Sequence, residues 1–264
     1  MSTSAMSRRR FLTLPLALLC GPLARVAAEE AVRWGQYVAD VGVLYDVLTF
    51  HLSGTIEERI NRAAGKYHVV ITGNGAAISN RIESSGTLRD GRWTPVHSIS
   101  WFKVRDRLSQ TEIDYDYTRR SISFRARAET FFLRRLRIVD DIVAIPEHIH
   151  VDDVVSATLN YADARWPSHE GILRTFVVRR RRAPDEGPDD VASVYRAELA
   201  ALEATVMHDV QDGKSSALFD LSPFSSWIRP SQPARIIFGA NRRPELITTS
   251  MILGSSVTIR FGAS

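Results

Sequence analysis

Cysteine is nearly absent from this chain of 264 residues, which contains Cys20 and no other. The sequence therefore excludes a disulfide framework and a thiolate metal site. Long apolar runs are also missing, because the run at residues 12–19 is much shorter than the roughly 20 residues that cross a bilayer as a helix. No Gly-x-Ser-x-Gly segment, the usual setting of a hydrolase serine, occurs. The fold must depend on its packed core, and the chain is long enough for one domain to form such a core.

The amino-terminal residues have the features of an export signal. The twin-arginine machinery recognises an arginine pair before an apolar run, and the chain offers Ser7-Arg8-Arg9-Arg10-Phe11-Leu12. Small residues suitable for cleavage precede Glu29, in Val26-Ala27-Ala28. We predict a cleaved twin-arginine signal peptide at 1–28 and a single β-rich periplasmic domain at 29–264. A membrane-anchored or uncleaved amino terminus is the alternative.

The charge balance argues against a nucleic-acid partner. The chain has 34 basic and 30 acidic residues, and residues 1–28 carry four arginines and no acid, which leaves 30 of each sign after cleavage. A protein that neutralises phosphates needs a basic surface excess. The exported part has no such excess, so a nucleic-acid function is not predicted.

Alternating apolar residues predict strands over most of the chain. Outside the central region the predicted strands are 43–50, 66–72, 172–178, 191–197, 217–221, 235–238, 246–251 and 257–261. Turn signals occur at Asn74-Gly75, Asp90-Gly91 and Asp212-Gly213. A helix is predicted over 153–164 from its acidic start and apolar spacing, and residues 197–209 fit a helix or a strand equally well. The fold class is therefore mainly β, with an antiparallel curved sheet or open half-barrel and one or two helices packed on it.

The best-defined unit is a three-strand meander with strands at 96–105, 111–117 and 121–127. A short turn at 118–119 predicts the opposite pairs Tyr115–Ile122, Ile113–Phe124 and Glu112–Arg125. Since side chains alternate between the faces, one face is predicted to be apolar. Its members are Phe102, Val104, Ile113, Tyr115, Tyr117, Ile122, Phe124 and Ala126.

The other face of the meander is charged. The middle strand contributes Glu112, Asp114 and Asp116, and the predicted flanking residues are Lys103, Arg105, Arg125 and Arg127. Cross-strand pairs of opposite charge contribute roughly 0.2–1 kcal/mol each, which is a sufficient structural reason for this pattern. The pair Asp114 and Asp116 resembles the carboxylates of a glycosidase, but basic neighbours on both sides would keep both groups ionised. A solvated charge ladder is predicted here.

One segment, Glu147-His148-Ile149-His150-Val151-Asp152-Asp153, has metal-ligand character. If the segment is extended, His148 and His150 point to the same side and Asp152 supplies a third ligand. Imidazoles beside a helix start are also commonly solvated and without a metal. Spacing alone is not specific, and the solvated interpretation is the commoner one, so no metal or other cofactor is predicted.

The arrangement of turns and strands resembles a known family of exported bacterial proteins. Its features here are Ser84-Ser85-Gly86-Thr87-Leu88-Arg89-Asp90-Gly91-Arg92-Trp93-Thr94-Pro95, then long strands with Ile113-Asp114-Tyr115-Asp116, and later Asp152-Asp153-Val154-Val155-Ser156 at a helix start. This pattern is similar to domain of unknown function 3108, over most of residues 32–262. The resemblance implies a curved β half-barrel like that of periplasmic lipoprotein and lipid carriers, with a helix across its mouth. It implies no catalytic residues.

Two classes of function remain open. A non-enzymatic binding or scaffolding module would accept a lipid, or an acylated or extended envelope partner, on an apolar face lined by Phe102, Ile113, Tyr115, Tyr117, Ile122 and Phe124. Alternatively, a hydrolase or metal-dependent enzyme would act on an envelope polymer or a small metabolite, through the His148 and His150 region or the Asp114 and Asp116 pair. An open cavity beside the helix would favour the first function. A metal ion or a desolvated carboxylate would favour the second.

Overall fold

The structure is a computed structural model. It describes residues 31–262 except 44, 46–47, 131, 184–185, 209–213, 226–227 and 229–231. The predicted signal peptide at 1–28 and the predicted turn at Asp212-Gly213 lie outside the described residues.

The described residues form sixteen strands and one α-helix. The strands before the helix are β1 (Ala31–Val43), β2 (Leu48–Asn61), β3 (Lys66–Gly75), β4 (Ile78–Arg89), β5 (Arg92–Val104), β6 (Arg107–Asp116), β7 (Ser121–Glu129), β8 (Leu136–Ala144) and β9 (Val151–Asp152). Helix α1 (Val154–Ala162) follows, and after it come β10 (Ser168–His169), β11 (Ile172–Arg180), β12 (Ala197–His208), β13 (Ser215–Phe219), β14 (Ala234–Phe238), β15 (Pro244–Ser250) and β16 (Ser256–Phe261). A single 3-10 turn at Ile252–Gly254 precedes β16. The chain is mainly β, as predicted, and 197–209 is a strand.

The strands form one sheet, and β1 lies near its middle. Strands β2 to β8 follow β1 in chain order on one side, and β16 back to β10 follow on the other. Short hairpin connections favour such antiparallel neighbours, and β9 adds one parallel pairing with β11. Because adjacent strands twist in one sense, a long sheet curls on itself. The predicted antiparallel curved sheet with a helix packed on it is confirmed.

The predicted meander is present in β5, β6 and β7. Tyr115 lies opposite Ile122 and Ile113 opposite Phe124, so the predicted register is confirmed. Tyr115, Ile122 and Phe124 are buried on the concave face of the sheet. Alternation along the strands therefore assigned the faces of this hairpin correctly.

The charged face of the meander carries ion pairs on its β7 side. The Arg125 guanidinium lies 3.1 Å from Glu112 and 2.7 Å from Asp114. These groups are partly exposed, so each pair stabilises the fold only weakly. Of the two predicted β7 cations, Arg125 is therefore placed correctly, whereas Arg127 lies opposite Gln110.

The β5 half of that ladder is wrong. Strand β6 begins four residues earlier than predicted, directly after a two-residue turn in which Arg105 has a φ of 56°. This tight turn places Lys103 opposite Leu108, and His97 opposite Asp114. Lys103 and Arg105 therefore do not flank the acidic residues, because a shorter turn brings a different part of β5 beside them.

Two other predicted strands are wrong. The stretch 43–50 contains the end of β1, a turn at Tyr45 and the start of β2, because the chain reverses there to bring Ala39 opposite Leu52. The stretch 191–197 precedes β12, whose pairing with β11 begins at Ala197. Val191 and Val194 in this stretch are exposed, so β-branched residues alone did not produce a strand. The turn signal at Asp90-Gly91 is confirmed, and both residues have positive φ.

Helix α1 begins with a reciprocal cap. Asp153 is extended, its carboxylate accepts a hydrogen bond from the Ser156 backbone N–H at 2.7 Å, and the Ser156 hydroxyl accepts one from the Asp153 backbone N–H at 2.9 Å. Two otherwise unpaired donors of the first turn are satisfied in this way. The helix predicted over 153–164 is confirmed, with Asp153 as its cap and Ala162 as its last residue.

The helix lies inside the curve of the sheet and is buried on two sides. Leu159 packs against the cluster that contains Trp93 and Tyr67, while Tyr161 packs against the cluster that contains Phe238. Full burial of a leucine contributes about 2–3 kcal/mol. The helix thus connects the β2–β5 wall to the β12–β14 wall.

An ion pair with Arg62 and a hydrogen bond from Trp93 hold Asp163 at the carboxyl end of the helix. Asp163 accepts two hydrogen bonds from Arg62, at 2.8 and 2.9 Å, and one from the Trp93 indole N–H at 2.9 Å. Burial opposes ionisation of Asp163, but these hydrogen bonds outweigh it and hold its pKa below the ordinary 3.8. An acid with a lowered pKa stabilises the fold above its unfolded-state pKa, and this stabilisation disappears as the pH falls through the folded-state pKa.

We therefore expect Asp163→Asn to lower the free energy of unfolding by about 1 kcal/mol at neutral pH. The difference from the wild type should shrink towards zero as the pH falls below 3.8. Urea unfolding over a series of acidic pH values measures it. If the stability difference between the wild type and the variant does not depend on pH, the Asp163 carboxylate does not have this stabilising role.

Candidate functional site

A cavity of about 550 Å³ lies between α1 and the concave face of the sheet; we call it the main cavity. Strands β4–β6 line one side of it, and strands β11–β15 line the other. The apolar lining from the second side includes Leu202, Phe219, Leu221, Ile236, Phe238 and Ile247. The helix and both walls of the sheet therefore enclose a space that their side chains do not fill.

Aromatic side chains brace the helix side of the main cavity. Tyr161 stacks on Phe238 with ring centroids 4.2 Å apart, and Trp166 meets both Tyr161 and Phe219 edge to face. The Trp166 indole N–H donates to the Ala157 carbonyl at 2.9 Å. Such aromatic pairs contribute about 0.5–1.5 kcal/mol beyond their burial. This wall is thus held in place by contacts within the protein.

A second, smaller cavity of about 200 Å³ lies on the other side of α1; we call it the small cavity. Val154 and Thr158 of the helix border both cavities, as do Pro244 and Ile247 of β15. Residues four apart on a helix share one face. One face of α1 therefore separates the two cavities.

Asp152 lies at the centre of a buried hydrogen-bond network beside the main cavity. The fully buried carboxylate accepts hydrogen bonds from the side chains of Thr175, Ser156 and Asn160, at 2.5, 2.9 and 2.8 Å. The Arg92 guanidinium lies 3.4 Å away. These partners come from β11, α1 and β5, so one carboxylate connects three elements.

Asp153 is buried beside it and lines the same cavity. Besides its capping contact, its carboxylate accepts a hydrogen bond from the Ser84 hydroxyl at 2.5 Å. Burial raises the pKa of Asp153 above its ordinary value, although the hydrogen bonds from Ser84 and Ser156 oppose this shift. Asp153 is a desolvated carboxylate, the feature that the enzyme hypothesis requires. However, the helix cap and Ser84 already engage it.

The predicted ligand-binding residues divide into three groups. Ile113 and Tyr115 line the main cavity. Ile122 and Phe124 are buried in the cluster beneath β9 and β11, and the half-buried Tyr117 packs against that cluster; all three lie outside the cavity lining.

Phe102 belongs to the third group, because it lies near the end of β5 and is 46% exposed. It has the face that was predicted, opposite Ser109 of β6. However, neither the helix nor the β12–β14 wall covers that end of the strand. A side chain on the apolar face of this strand can therefore still be exposed to solvent.

The predicted metal ligands are only partly brought together. His150 lies 3.1 Å from Asp152, but His148 is exposed in a turn with a φ of 66°, so the segment is not extended there. His148 and His150 therefore do not share one side of a strand.

A different group of three possible ligands, His97, Glu112 and Asp114, lies on the outer face of the meander. Arg125 already pairs with Glu112 and Asp114, and the His97 ring is 2.7 Å from Asp114. Within the described residues these side chains thus satisfy one another.

The lining from the second half of the chain was not predicted. Tyr161 belongs to the predicted helix, and Trp166 comes shortly after its end, so both could be expected near the helix. Phe219, Ile236 and Phe238 occur in short strands whose sequences look like those of ordinary core strands. The available signal was the aromatic Trp166 directly before Pro167, at the point where the helix ends. Which apolar side chains border a cavity depends on packing across the sheet.

Comparison with known proteins gives no family assignment. No protein-family model and no curated protein sequence matches the chain. A solved structure of a beta-barrel-like protein of domain of unknown function DUF1849 from Brucella abortus is similar, with a TM-score of 0.43 and 8% sequence identity, covering 89% of this chain and 98% of that one. None of the helices in the described part of this chain has the length and apolar character needed to cross a bilayer. The chain is similar to a β-barrel-like domain of unknown function.

Proposed function

We propose that this protein is a non-enzymatic binding module that holds the apolar part of a lipid or of an acylated envelope partner in the main cavity. The observation that carries the proposal is the cavity itself, about 550 Å³ in volume and lined mainly by apolar side chains, with Ser98, Ser100, Asp152, Asp153 and Thr158 as its polar lining. Small-molecule sites usually measure about 300–1,000 Å³ and are mostly apolar, with few polar groups. Transfer of an acyl chain from water to such a lining is favourable by about 0.8 kcal/mol for each CH₂ buried.

The state of the acidic groups supports binding over catalysis. A general acid or base must reach the reacting atom with a hydrogen-bonding position that is not already occupied. Asp152 and Asp153 border the cavity, but the side chains and backbone of the helix, of β4 and of β11 engage them. The alternative, an enzyme acting through Asp153, would require the helix cap to break first.

The periplasm is the proposed site of action. The twin-arginine motif at Arg8 and Arg9 and the small residues before Glu29 support export. The resemblance of residues 84–95 to domain of unknown function 3108, a family of exported bacterial proteins, supports the same proposal, although no family model matches the chain. The envelope also supplies the acylated molecules that such a cavity would accept.

Two measurements on protein purified from the periplasm test the proposal. Native mass spectrometry, followed by lipid extraction, should detect one bound lipid per protein. The neutral apolar dye N-phenyl-1-naphthylamine should give a saturable rise in fluorescence that added acyl lipid reverses. Protein that carries no lipid and gives no saturable dye signal would contradict the proposal.

A further inference from the structure

Tyr115 has an unmatched polar group beside the main cavity. Atoms of the side chain line the cavity and the residue is 5% exposed, but its hydroxyl oxygen is enclosed by protein and makes no hydrogen bond to any described residue. Among the described cavity-lining residues, no other has a buried polar side-chain atom without a partner. Burial of an unpaired hydroxyl costs free energy, so such groups usually have a partner in the functional state.

The hydroxyl is suited to donate a hydrogen bond. Burial, and then the nearby Asp153, raise the pKa of the Tyr115 hydroxyl well above its ordinary value, so the proton stays on the oxygen. A phenol in this state offers one donor to a ligand oxygen.

The charges around the cavity select the kind of ligand oxygen. The ionisable acids of the lining are Asp152 and Asp153, and the lining includes no lysine or arginine within the described residues. Arg92, the nearest cation to Asp152, is engaged by that carboxylate. A carboxylate or phosphate placed here would be desolvated without a counter-charge and would face two buried acids.

We propose that Tyr115 donates its hydroxyl proton in a hydrogen bond to the uncharged carbonyl oxygen of an acyl ester or amide, and that the site discriminates against free fatty acids. This inference rests on the proposed function, because it assigns the polar end of the apolar ligand. The acyl chain lies along the apolar lining, and its carbonyl lies at the β5–β6 end, where rotation of the Tyr115 side chain turns the enclosed hydroxyl toward the cavity.

Three probes with the same chain length separate the contributions. Monolauroylglycerol has the ester carbonyl, 1-O-dodecylglycerol lacks only that carbonyl, and laurate has a negative charge. Displacement of N-phenyl-1-naphthylamine from the mature protein measures each affinity. We expect the ester to bind more tightly than the ether and laurate to bind most weakly. Tyr115→Phe should weaken ester binding about threefold to tenfold, the usual effect of one lost hydrogen bond, and leave ether binding unchanged.

Tyr37→Phe is the matched control, because Tyr37 is equally buried, its hydroxyl bonds to Asn80 at 2.8 Å, and it lines neither cavity. It should leave the difference between ester and ether intact. Tightest binding of laurate, or an equal effect of Tyr115→Phe on ester and ether, would overturn the inference and leave the proposed function standing. Failure of all three probes to bind the wild type would overturn both.

Discussion

Replacement of Asp152 by asparagine is expected to lower the free energy of unfolding by about 3–5 kcal/mol, as happens when one partner of a buried ion pair is removed. The carboxylate accepts hydrogen bonds from Thr175 and Asn160 and offsets the charge of Arg92. An asparagine at this position has one acceptor oxygen in place of two. Its NH₂ group would therefore face a donor, from Thr175 or from Asn160, that the carboxylate now accepts from. Arg92, half-buried, would lose its counter-charge. The expected loss is therefore much larger than that of one hydrogen bond.

Asp153→Asn is the matched control, since it makes the same chemical change one residue away. Burial disfavours the charged form of Asp153, so its pKa is raised, and stability falls as the pH rises from the ordinary pKa of 3.8 to the raised pKa, above which the full penalty remains. Asparagine removes this penalty and still accepts the Ser156 N–H as a good helix cap. We expect a loss of less than about 1 kcal/mol. Denaturant unfolding at neutral pH, with unchanged dependence on denaturant, compares the two variants. Equal losses would show that Asp152 is not the centre of the network.

Thr158→Trp is expected to reduce binding of an acyl lipid by at least about tenfold. Thr158 borders both cavities and is only half-buried, so an indole can enter the space without displacing the core. The added side chain occupies volume that the ligand needs. Dye displacement by monolauroylglycerol measures the effect, and the excitation wavelength of the dye avoids tryptophan.

Thr205→Trp makes the same change on an exposed position of β12, outside both cavities. It should leave lipid affinity unchanged and should have an unfolding midpoint close to that of the wild type. If both variants lose affinity equally, or if Thr158→Trp binds as well as the wild type, the ligand does not occupy the cavities beside α1.

The sequence supports some parts of the site better than others. The register of β6 and β7 could be predicted, because an alternating pattern and a short turn leave few alternatives. Ile113 and Tyr115 were thus placed correctly on the concave face. The error at Lys103 arose because the length of one turn, at residues 105–106, decides which residues of β5 lie beside β6. Turn length is weakly encoded where no Asn-Gly or Asp-Gly signal marks it.

The amino-acid sequence by itself determined some local elements: the faces of the β6–β7 hairpin, the positive-φ turn at Asp90-Gly91 and the helix that begins after Asp153. Each depends on residues within a few positions of one another, so periodicity and turn chemistry are sufficient. Only the tertiary structure decided that Arg92 and Thr175 converge on Asp152, that Phe102 is exposed, and that Tyr115 borders a cavity. The alternation of apolar and polar residues along a strand assigns each side chain to one face of the sheet. Whether another side chain covers that face depends on elements far away in the chain and on the volumes they leave unfilled.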